Sequence, residues 1–476
     1  MNLRLLVCTV TAAIGVSASA QVIPTITTFA GSGSPNSLPD GGPSGDGGPA
    51  TQSDLGYALK VAADGQGNIY FIDFGFVSVT EADQVNQYGT VFVRRVDAAT
   101  GTITTIAGAG SSPAADGMPA ANAYFPYGWS LACDQAGNVF LGEFYDYTAV
   151  DARIWRIDAA TGMLSTYAGG VAPTQFYSLG DCEGIVQPIP FPSGDGGPAT
   201  SAVIVSIEDM AVDPDGNLHF CDRTTIRKID AATGIITSVA GNSAVSFDDI
   251  EPGDGNCTGL KLGTYSGDGG AATSATLVYP LDLAFDSAGN LFFAEFDVDF
   301  GDGVTNQRIR RVDAATGIIT AYAGDGSLSF SGDGGPAIAA GLNMPRGLAF
   351  DSSDNLYFAD MINNVVRRVN AATGTISTVV GTPQTYGYSG DGGPALAAVL
   401  SSPYDLAIDA DGNVFIADAD NLRVRKVVGL TNAPPTAAAG PDQSIHATTV
   451  ITLNGSASFD DNTPSNALTY SWSFLS

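Results

Sequence analysis

Hydrophobic and polar residues alternate along short segments of this chain, and the same series of segments returns six times. Each copy opens with an apolar stretch that ends in an L-A-x-D-like core, as in Leu348–Asp351, and a tight turn then ends in an asparagine such as Asn355. A second strand, a third strand with paired basic residues, an Asp-Ala-Ala-Thr-Gly turn and a fourth strand follow. Period-two alternation between regularly spaced turns predicts four short β-strands in each copy.

The number of copies indicates a closed ring. Six first strands and six second strands are present, but the Ala-Ala-Thr-Gly turn occurs five times, and the sixth copy has no fourth strand after Lys426. Thr25–Gly31 repeats the fourth-strand segment Thr102–Gly108 nearly residue for residue. We therefore predict an all-β fold, a six-bladed β-propeller of four-stranded blades closed by the N-terminal strand. Closure of this kind leaves only short, protected sheet edges.

The connectors before the first strands share the sequence Ser-Gly-Asp-Gly-Gly-Pro-Ala, with close variants in two copies. They begin at Ser44, Ala114, Ser193, Ser266, Ser331 and Ser389. In this order of motifs the chain resembles the NHL repeat family over residues 25–427, and in particular secreted bacterial proteins with such connectors. The resemblance implies the propeller fold but implies little about function, because propellers carry many unrelated activities.

A different pattern begins near Thr431. Ala433–Thr436 has the composition of a linker, and Thr452–Ser458 and Leu468–Ser473 resemble the beginning of a PKD-type immunoglobulin-like domain. About half of such a domain precedes Ser476, so we expect a truncated or fragmentary β-sandwich. The predicted organisation is a signal peptide at 1–20, a six-bladed NHL-like propeller at 21–429, and a linker with an incomplete PKD/Ig-like domain at 430–476.

The N-terminal segment predicts export. Arg4 precedes the apolar run Leu5–Val16, which is too short to span a bilayer, and Ser17–Ala20 supplies small residues for cleavage. We therefore expect a secreted, cell-surface or periplasmic protein without membrane insertion.

Its formal charge of −30 argues against nucleic acid or anionic lipid as a partner and favours cations, basic surfaces or neutral glycans. The alternative is that the acidity only keeps an exported protein soluble.

The cysteines fall into two groups. Cys182 and Cys257 lie in long insertions between copies, where an oxidising compartment would allow a disulfide between them. Cys133 and Cys221 lie in predicted strands, where we expect small buried apolar groups.

A carboxylate ends every second strand, and basic residues recur beside it in the third strands, where Trp155 breaks the pattern. Because acids and bases repeat together, the simplest interpretation is a set of structural ion pairs that fix each blade, although six acids in a ring also resemble a site. The acids are Asp73, Glu143, Asp222, Glu295, Asp360 and Asp418.

The first strands contain a second repeated position, an alanine after Leu, Val or Met, as expected where six strands converge on an axis. Strand alternation puts the residue two positions earlier on the same channel-facing side. These residues are Lys60, Ser130, Asp209, Asp282, Gly347 and Asp405. Three aspartates near one axis must repel one another or share a cation, so the two interpretations are a calcium site and hydrated acids lining a wet channel.

The connections of variable length, including 74–90, fall on one face of such a propeller, and decorated loops on a rigid scaffold commonly bind ligands. The candidate ligand-binding residues in these loops are Tyr145, Tyr147, Phe176 and Tyr177. Asp297, Asp299 and Asp302 could hold calcium, although their spacing departs from that of known calcium loops.

Catalysis has weak support in the sequence. His219 and His446 are the only histidines, and His219 occupies a strand position that is aromatic in the other copies. No Ser-His-Asp or Cys-His arrangement is visible, and we assign no catalytic residue.

We predict an extracellular binding or adhesion module that recognises a protein or glycan through its loop-bearing face. The alternative is a calcium-dependent hydrolase or lyase of the lactonase-like propeller type, acting at the channel mouth.

Overall fold

The computed structural model describes residues 23–35, 44–81, 84–126, 128–143, 152–171, 176–177, 189–190, 192–242, 265–297 and 306–431, together with the backbone at 14–15 and 473–474. Within these residues six antiparallel sheets surround an axis. Five of them have four strands in chain order from the axis outwards, and the sixth adds the N-terminal strand Thr25–Ala30 outside its three consecutive strands. The predicted six-bladed β-propeller is thereby confirmed. The predicted partial sandwich at the C-terminus lies outside the described residues, apart from the short pairing of Ile14–Gly15 with Ser473–Phe474.

Each blade runs from an innermost strand at the axis to an outermost strand at the rim, and its strands follow in that order. Blade 1 has Tyr57–Ala63, Ile69–Glu81, Gln84–Val96 and Ile103–Ala107, and blade 2 has Gly128–Cys133, Val139–Glu143, Arg153–Ile157 and Leu164–Gly169. Blade 3 has Met210–Val212, Leu218–Asp222, Thr225–Ile229 and Ile236–Ala240, and blade 4 has Pro280–Phe285, Leu291–Asp297, Asn306–Val312 and Ile319–Ala323. Blade 5 has Pro345–Phe350, Leu356–Asp360, Val365–Val369 and Ile376–Val380, and blade 6 has Pro403–Ile408, Val414–Asp418, Arg423–Val428 and Thr25–Ala30.

The remaining regular elements are short. Eight 3-10 turns of three residues each occur in the described residues, and none has the length or apolar character that a bilayer span requires. They are Ala50–Gln52, Ala120–Asn122, Ala199–Ser201, Ala272–Ser274, Ala337–Ala339, Met361–Asn363, Ala395–Ala397 and Ala419–Asn421. The two-residue strands are Ser112–Pro113 with Ala123–Tyr124, Phe176–Tyr177 with Ile189–Pro190, and Gly393–Pro394 on the edge of blade 6.

The ring closes through the N-terminal strand, as the count of repeats predicted. Thr25–Ala30 pairs antiparallel with Arg423–Val428, with Thr25 opposite Val428 and Thr28 opposite Arg425. Ile26 and Ala30 are fully buried in this position. The two ends of the propeller sequence are therefore joined by hydrogen bonds and apolar contact rather than by chain continuity.

The core consists of six apolar clusters, each between two neighbouring blades. The cluster at the closure contains Phe71 of blade 1 and Phe415 of blade 6, both almost fully buried. The interface between the first and last blades thus has the same apolar character as the other five, and burial of aromatic and aliphatic side chains stabilises it in the same way.

The connectors lie along the outer edges of the fourth strands. In blade 1 the Gly47 N–H donates to the Ile103 carbonyl at 2.8 Å, and the Asp46 carboxylate accepts the Thr105 N–H at 3.0 Å. Asp116, Asp195, Asp268, Asp333 and Asp391 accept the equivalent fourth-strand N–H in the other blades. The repeated connector therefore occupies edge groups that would otherwise be available to another chain.

The segment 74–90, which we predicted as a loop, is instead a continuation of two strands in blade 1. Pairing runs without a break from Phe74 opposite Val91 to Glu81 opposite Gln84. The physical reason is visible in the sequence, because valine, threonine and aromatic residues alternate with polar ones in this segment and favour strand over loop.

Candidate functional site at the propeller axis

The second-strand carboxylates lie inside the blades, against the third-strand arginines. Asp73 accepts a hydrogen bond from Nη1 of Arg94 at 2.8 Å, and Nη2 of the same arginine donates to the Ser44 carbonyl at 2.6 Å and to Asp46 at 3.0 Å. The equivalent pairs are Arg227–Asp222, Arg310–Glu295, Arg367–Asp360 and Arg425–Asp418. Each of these fully buried arginines joins the second strand, the third strand and the connector of its blade, which gives the pairs a structural role.

Blade 2 departs from this arrangement. Nε1 of Trp155 donates to Glu143 at 2.9 Å, and the Arg153 guanidinium lies 4.8 Å from the centre of the Trp155 ring. A cavity of about 130 Å³ lies beside them, lined in part by Tyr124 and Pro126. The polar groups of its wall already interact with one another, so this cavity is a weaker candidate site than the propeller axis.

Five inner strands have a β-bulge at one common level near their beginning, and blade 3 has the same two-against-one arrangement just before its inner strand. In blade 4 the register shifts between Pro280 and Asp282, and in blade 3 both Glu208 and Asp209 bond to the single residue Cys221. Equivalent shifts occur in blades 1, 2, 5 and 6. A bulge sets two successive residues against one of the neighbouring strand and redirects their side chains.

The bulges define two rings of residues around the axis. The deep ring contains the predicted channel residues Lys60, Ser130, Asp209, Asp282, Gly347 and Asp405. The mouth ring contains the residues that precede them, Leu59, Trp129, Glu208, Leu281, Arg346 and Tyr404. Since every inner strand begins at the face that carries the second-to-third and fourth-to-first connections, the mouth ring is the one nearer the loop-bearing face.

The deep ring is organised around Lys60. Its ammonium nitrogen lies 2.8 Å from Oδ1 of Asp209 and 2.5 Å from Oδ1 of Asp282. The second oxygen of Asp209 accepts the Leu283 N–H at 2.8 Å, and Asp405 accepts the Val61 N–H at 2.9 Å. Asp209 thus bonds to both the buried cation and a backbone donor, whereas Asp282 contacts the cation and Asp405 accepts backbone N–H groups.

Burial and charge act in opposite directions in this ring. Burial lowers the pKa of Lys60, but the charges of Asp209, Asp282 and Asp405 outweigh it and hold that pKa well above its ordinary value. Burial raises the pKa of Asp209 and of Asp405, and the nearby Lys60 ammonium opposes the rise. The ammonium is therefore charged at neutral pH, where it balances carboxyl groups that burial disfavours as anions.

Two further members of the deep ring have other surroundings. Gly347 has a φ of +54°, and a Cβ on it would lie 2.5 Å from Cα of Asp405, so the inner strands of blades 5 and 6 approach closely only with glycine there. Ser130 packs against the second strand of its own blade. Its Oγ lies so close to Gly142 that a Cβ on that glycine would clash with it.

The mouth ring combines charge with aromatic surface. The guanidinium of Arg346, which is nine-tenths buried, lies 4.3 Å from the centre of the Tyr404 ring. Burial raises the pKa of Glu208, and the charge of Arg346 is the main effect that opposes it. Trp129 is 39% exposed and stacks on Phe74 with ring centres 6.0 Å apart. Arg346 Nε and Asp282 Oδ2 are buried without a hydrogen-bond partner in the described protein, and such groups ordinarily have one.

The structure thus brings Lys60, Asp209 and Asp282 together, with Asp405 beside them, while other predicted residues fall elsewhere. Tyr145, Tyr147, Asp299, Asp302, Cys182 and Cys257 lie outside the described residues. Phe176 and Tyr177 are described only as backbone paired with Ile189–Pro190, and Asp297 is described only as backbone at the end of its strand.

No group of three or more His, Cys, Asp or Glu residues arranged to hold a metal occurs in the described ranges. A metal ion among the three aspartates would have to displace the Lys60 ammonium.

Sequence reasoning missed the mouth ring, and in particular Trp129, Glu208, Arg346 and Tyr404. Strict alternation assigns the residue before each channel position to the opposite side of the strand, and only the bulge changes this. The available signal was variability, because this position holds Leu, Trp, Glu, Leu, Arg and Tyr in copies that otherwise agree closely.

No protein-family model matches the chain. Among curated proteins, Teneurin-1 of Mus musculus is 28% identical over 246 residues, which cover 49% of this chain and 8% of Teneurin-1. Teneurin-3 of Mus musculus is 28% identical over 302 residues, which cover 60% of this chain and 10% of Teneurin-3. The matched segments therefore span a tenth or less of the length of these relatives.

Among solved structures, an auxiliary nutrient binding protein from Bacteroides thetaiotaomicron aligns with a TM-score of 0.51 and 15% identity, covering 85% of this chain and 76% of that one. At this identity the likeness concerns the fold alone. The propeller fold and these similarities are compatible with a binding module.

Proposed function

We propose that this protein is an extracellular binding module that holds a protein or glycan ligand at the loop-bearing end of the propeller axis. The proposal rests on the position at which the six blades differ in sequence. Arginine–carboxylate pairs and connector contacts repeat from blade to blade, whereas the mouth ring holds five different residue types at one register position. A purely structural role does not require different residues at this position. A single asymmetric ligand does, because it presents different groups to each blade.

The chemistry of the mouth ring supports binding. Arg346 and Glu208 provide a cation and a carboxyl group, Trp129 and Tyr404 provide aromatic surface, and all four are set on the inner strands or at their beginnings rather than on loops. A concave end of a rigid propeller, with few polar groups among apolar ones, is a common form of ligand site. The buried Oδ2 of Asp282 has no hydrogen-bond partner within the described residues and is available to a ligand donor. The Nε of Arg346 is also without a partner there, as is the Nε of the structural arginines Arg94, Arg367 and Arg425.

The extracellular location is part of the proposal. The predicted signal peptide at 1–20 and the acidic composition support export, and the similarity to a protein described as nutrient binding agrees with ligand capture outside the cell. The position of Lys60 among the three aspartates weighs against the calcium-dependent alternative, because the chain itself supplies a cation there.

The proposal is tested with the full chain immobilised and exposed to a panel of extracellular polysaccharides and secreted or surface proteins. We expect at least one ligand whose binding is lost in Arg346→Ala and Trp129→Ala. Arg156→Ala serves as the matched arginine control, because Arg156 is paired with Asp158 next to the turns of the opposite face. Leu396→Ala serves as the apolar control, since Leu396 is 58% exposed and lies in a connector turn. Binding that survives both axial variants, or no binding to any member of the panel, would refute the proposal.

A further inference from the structure

The mouth ring offers one broad aromatic face. Trp129 exposes 39% of its surface, and Phe74 of blade 1 supports it from the side in a nearly parallel orientation, with an interplanar angle of 21°. Trp129 is the extra residue of the bulge between Gly128 and Ser130, so the strand fixes its position at the mouth. An aromatic face held in this way favours a flat ligand with C–H groups on one side.

The two cationic groups at the axis already have acidic partners within the protein. Lys60 contacts two aspartates, and Arg346 lies over Tyr404 with Glu208 and Asp282 nearby. An anionic ligand would meet a group of carboxyls, and a cationic ligand would compete with Lys60 and Arg346 for them. Desolvating an additional unpaired charge beside these groups is costly, so the site favours a ligand without net charge.

Two atoms at the axis that lack a partner in the described protein offer a ligand one acceptor and one donor. Oδ2 of Asp282 can only accept while it is ionised, and Nε of Arg346 can only donate. A hydroxyl group does both, so one polyhydroxylated ligand can satisfy the two atoms together. A purely apolar ligand would leave both atoms buried and unpaired, which is unfavourable for each of them.

From the aromatic face, the cations that already have acidic partners and the two unpaired polar atoms, we infer that the axial site binds a neutral saccharide unit of an extracellular glycan. One sugar face stacks on Trp129, and hydroxyl groups meet Arg346 and Asp282. The inference rests on the proposed function and names its ligand class.

Calorimetric titration of the full chain with neutral oligosaccharides and with their uronate counterparts tests the inference. Oligogalactosides and oligogalacturonates form a suitable pair, because they differ in the C6 carboxylate, and gluco-, manno- and xylo-oligosaccharides extend the neutral set. We expect at least one neutral ligand to bind, and to bind about tenfold or more tightly than its uronate form. Trp129→Ala weakens this binding by about tenfold or more, and Trp129→Phe by less, in line with the usual effect of truncating an aromatic anchor.

The controls separate this inference from the proposed function. Leu396→Ala leaves binding unchanged, and melting temperatures establish that each variant is folded; Trp129→Phe covers the case in which the alanine variant does not fold. A deglycosylated protein ligand whose capture depends on Arg346, with no neutral saccharide bound, would overturn the inference and leave the proposed function standing. Equal binding of the uronate, or saccharide binding unaffected by both Trp129 variants, would also overturn it. No ligand of either class at the axis would remove both.

Discussion

Nζ of Lys60 lies 2.5 Å from Oδ1 of Asp282, and the two residues belong to blades 1 and 4, which face each other across the ring. They are 222 positions apart in sequence. One ion pair therefore spans the propeller axis and ties together strands that share no sheet. With Asp209 of blade 3 on the same ammonium, the contact places buried charge at the centre of the fold, directly beneath the proposed ligand site.

Replacing Lys60 by methionine should strongly destabilise the propeller. The change leaves Asp209 and Asp282 buried without their cation, and breaking a buried pair by removing one partner typically costs about 3–5 kcal/mol. Chemical denaturation of Lys60→Met beside the parent measures the loss. Lys228→Met is the matched control, since Lys228 is only partly buried on the third strand of blade 3 and should change stability by less than about 1 kcal/mol. Equal stability of both variants would contradict the role assigned to Lys60.

Asp405→Asn should alter how stability depends on pH. Burial raises the pKa of Asp405, so the folded protein retains a proton that the unfolded chain loses near pH 4. The stability that this proton contributes is fully present below the unfolded pKa and is lost as the pH rises through the folded pKa. Asparagine keeps the neutral form throughout. The variant should therefore gain stability relative to the parent as the pH increases from about 4 towards neutral and above.

Denaturation at several pH values between about 3.5 and 8.5, a range that starts below the unfolded pKa, checks this expectation. Asp411→Asn is the control, because Asp411 is an exposed turn residue and the same substitution there leaves the buried ring untouched. A difference for Asp405→Asn that is constant with pH would contradict the raised pKa, and one that decreases with pH would show that the carboxylate is stabilised as an anion instead.

The fold was predictable because the strand pattern, the turn residues and the number of repeats all indicated the same architecture. A closed six-bladed ring accounts for the alternation, for the turns that end in asparagine and for the fourth strand missing before Thr431. The pairing of Thr25–Ala30 with the sixth blade follows from it. Six copies in one register also aligned Lys60, Asp209, Asp282 and Asp405 on one level of the axis. The convergence of three acids was therefore visible in the sequence.

What the sequence could not supply was the contact between distant side chains and the local irregularity of strands. Alternation placed Lys60 in the channel but did not show that its ammonium would reach Asp209 and Asp282, because that depends on the diameter of the closed ring. The bulges that bring Trp129 and Arg346 to the mouth break the period of two on which the prediction relied. Phe74 was assigned to a loop for a related reason, since an unusually long hairpin resembles an insertion when the other copies are shorter.

The buried and the half-buried arginine of a third strand should differ sharply in their effect on stability. Arg367 is fully buried and donates to the Ser331 and Gly341 carbonyls and to Asp333, beside Asp360, whereas its neighbour Arg368 is only partly buried. Arg367→Met leaves several buried acceptors unpaired and should cost about 3–5 kcal/mol. Arg368→Met should cost about 1 kcal/mol or less. Similar losses for the two variants, measured by urea denaturation, would contradict a structural role specific to the buried pairs.

Removal of the N-terminal strand should open the ring. Deleting 25–30 exposes the whole edge of Arg423–Val428 and removes Ile26 and Ala30 from the core, so the sixth blade would present unpaired backbone groups and apolar surface to other chains. We expect aggregation, faster proteolysis within blade 6 and a lower melting temperature, measured by size-exclusion chromatography, limited proteolysis and calorimetry. The matched control removes 434–476 instead, starting inside the predicted linker Ala433–Thr436, and should leave the melting of the propeller nearly unchanged because few contacts cross such linkers. A strand deletion that remained monomeric with the parent's melting temperature would show that chain continuity and the apolar interface hold the ring without this strand.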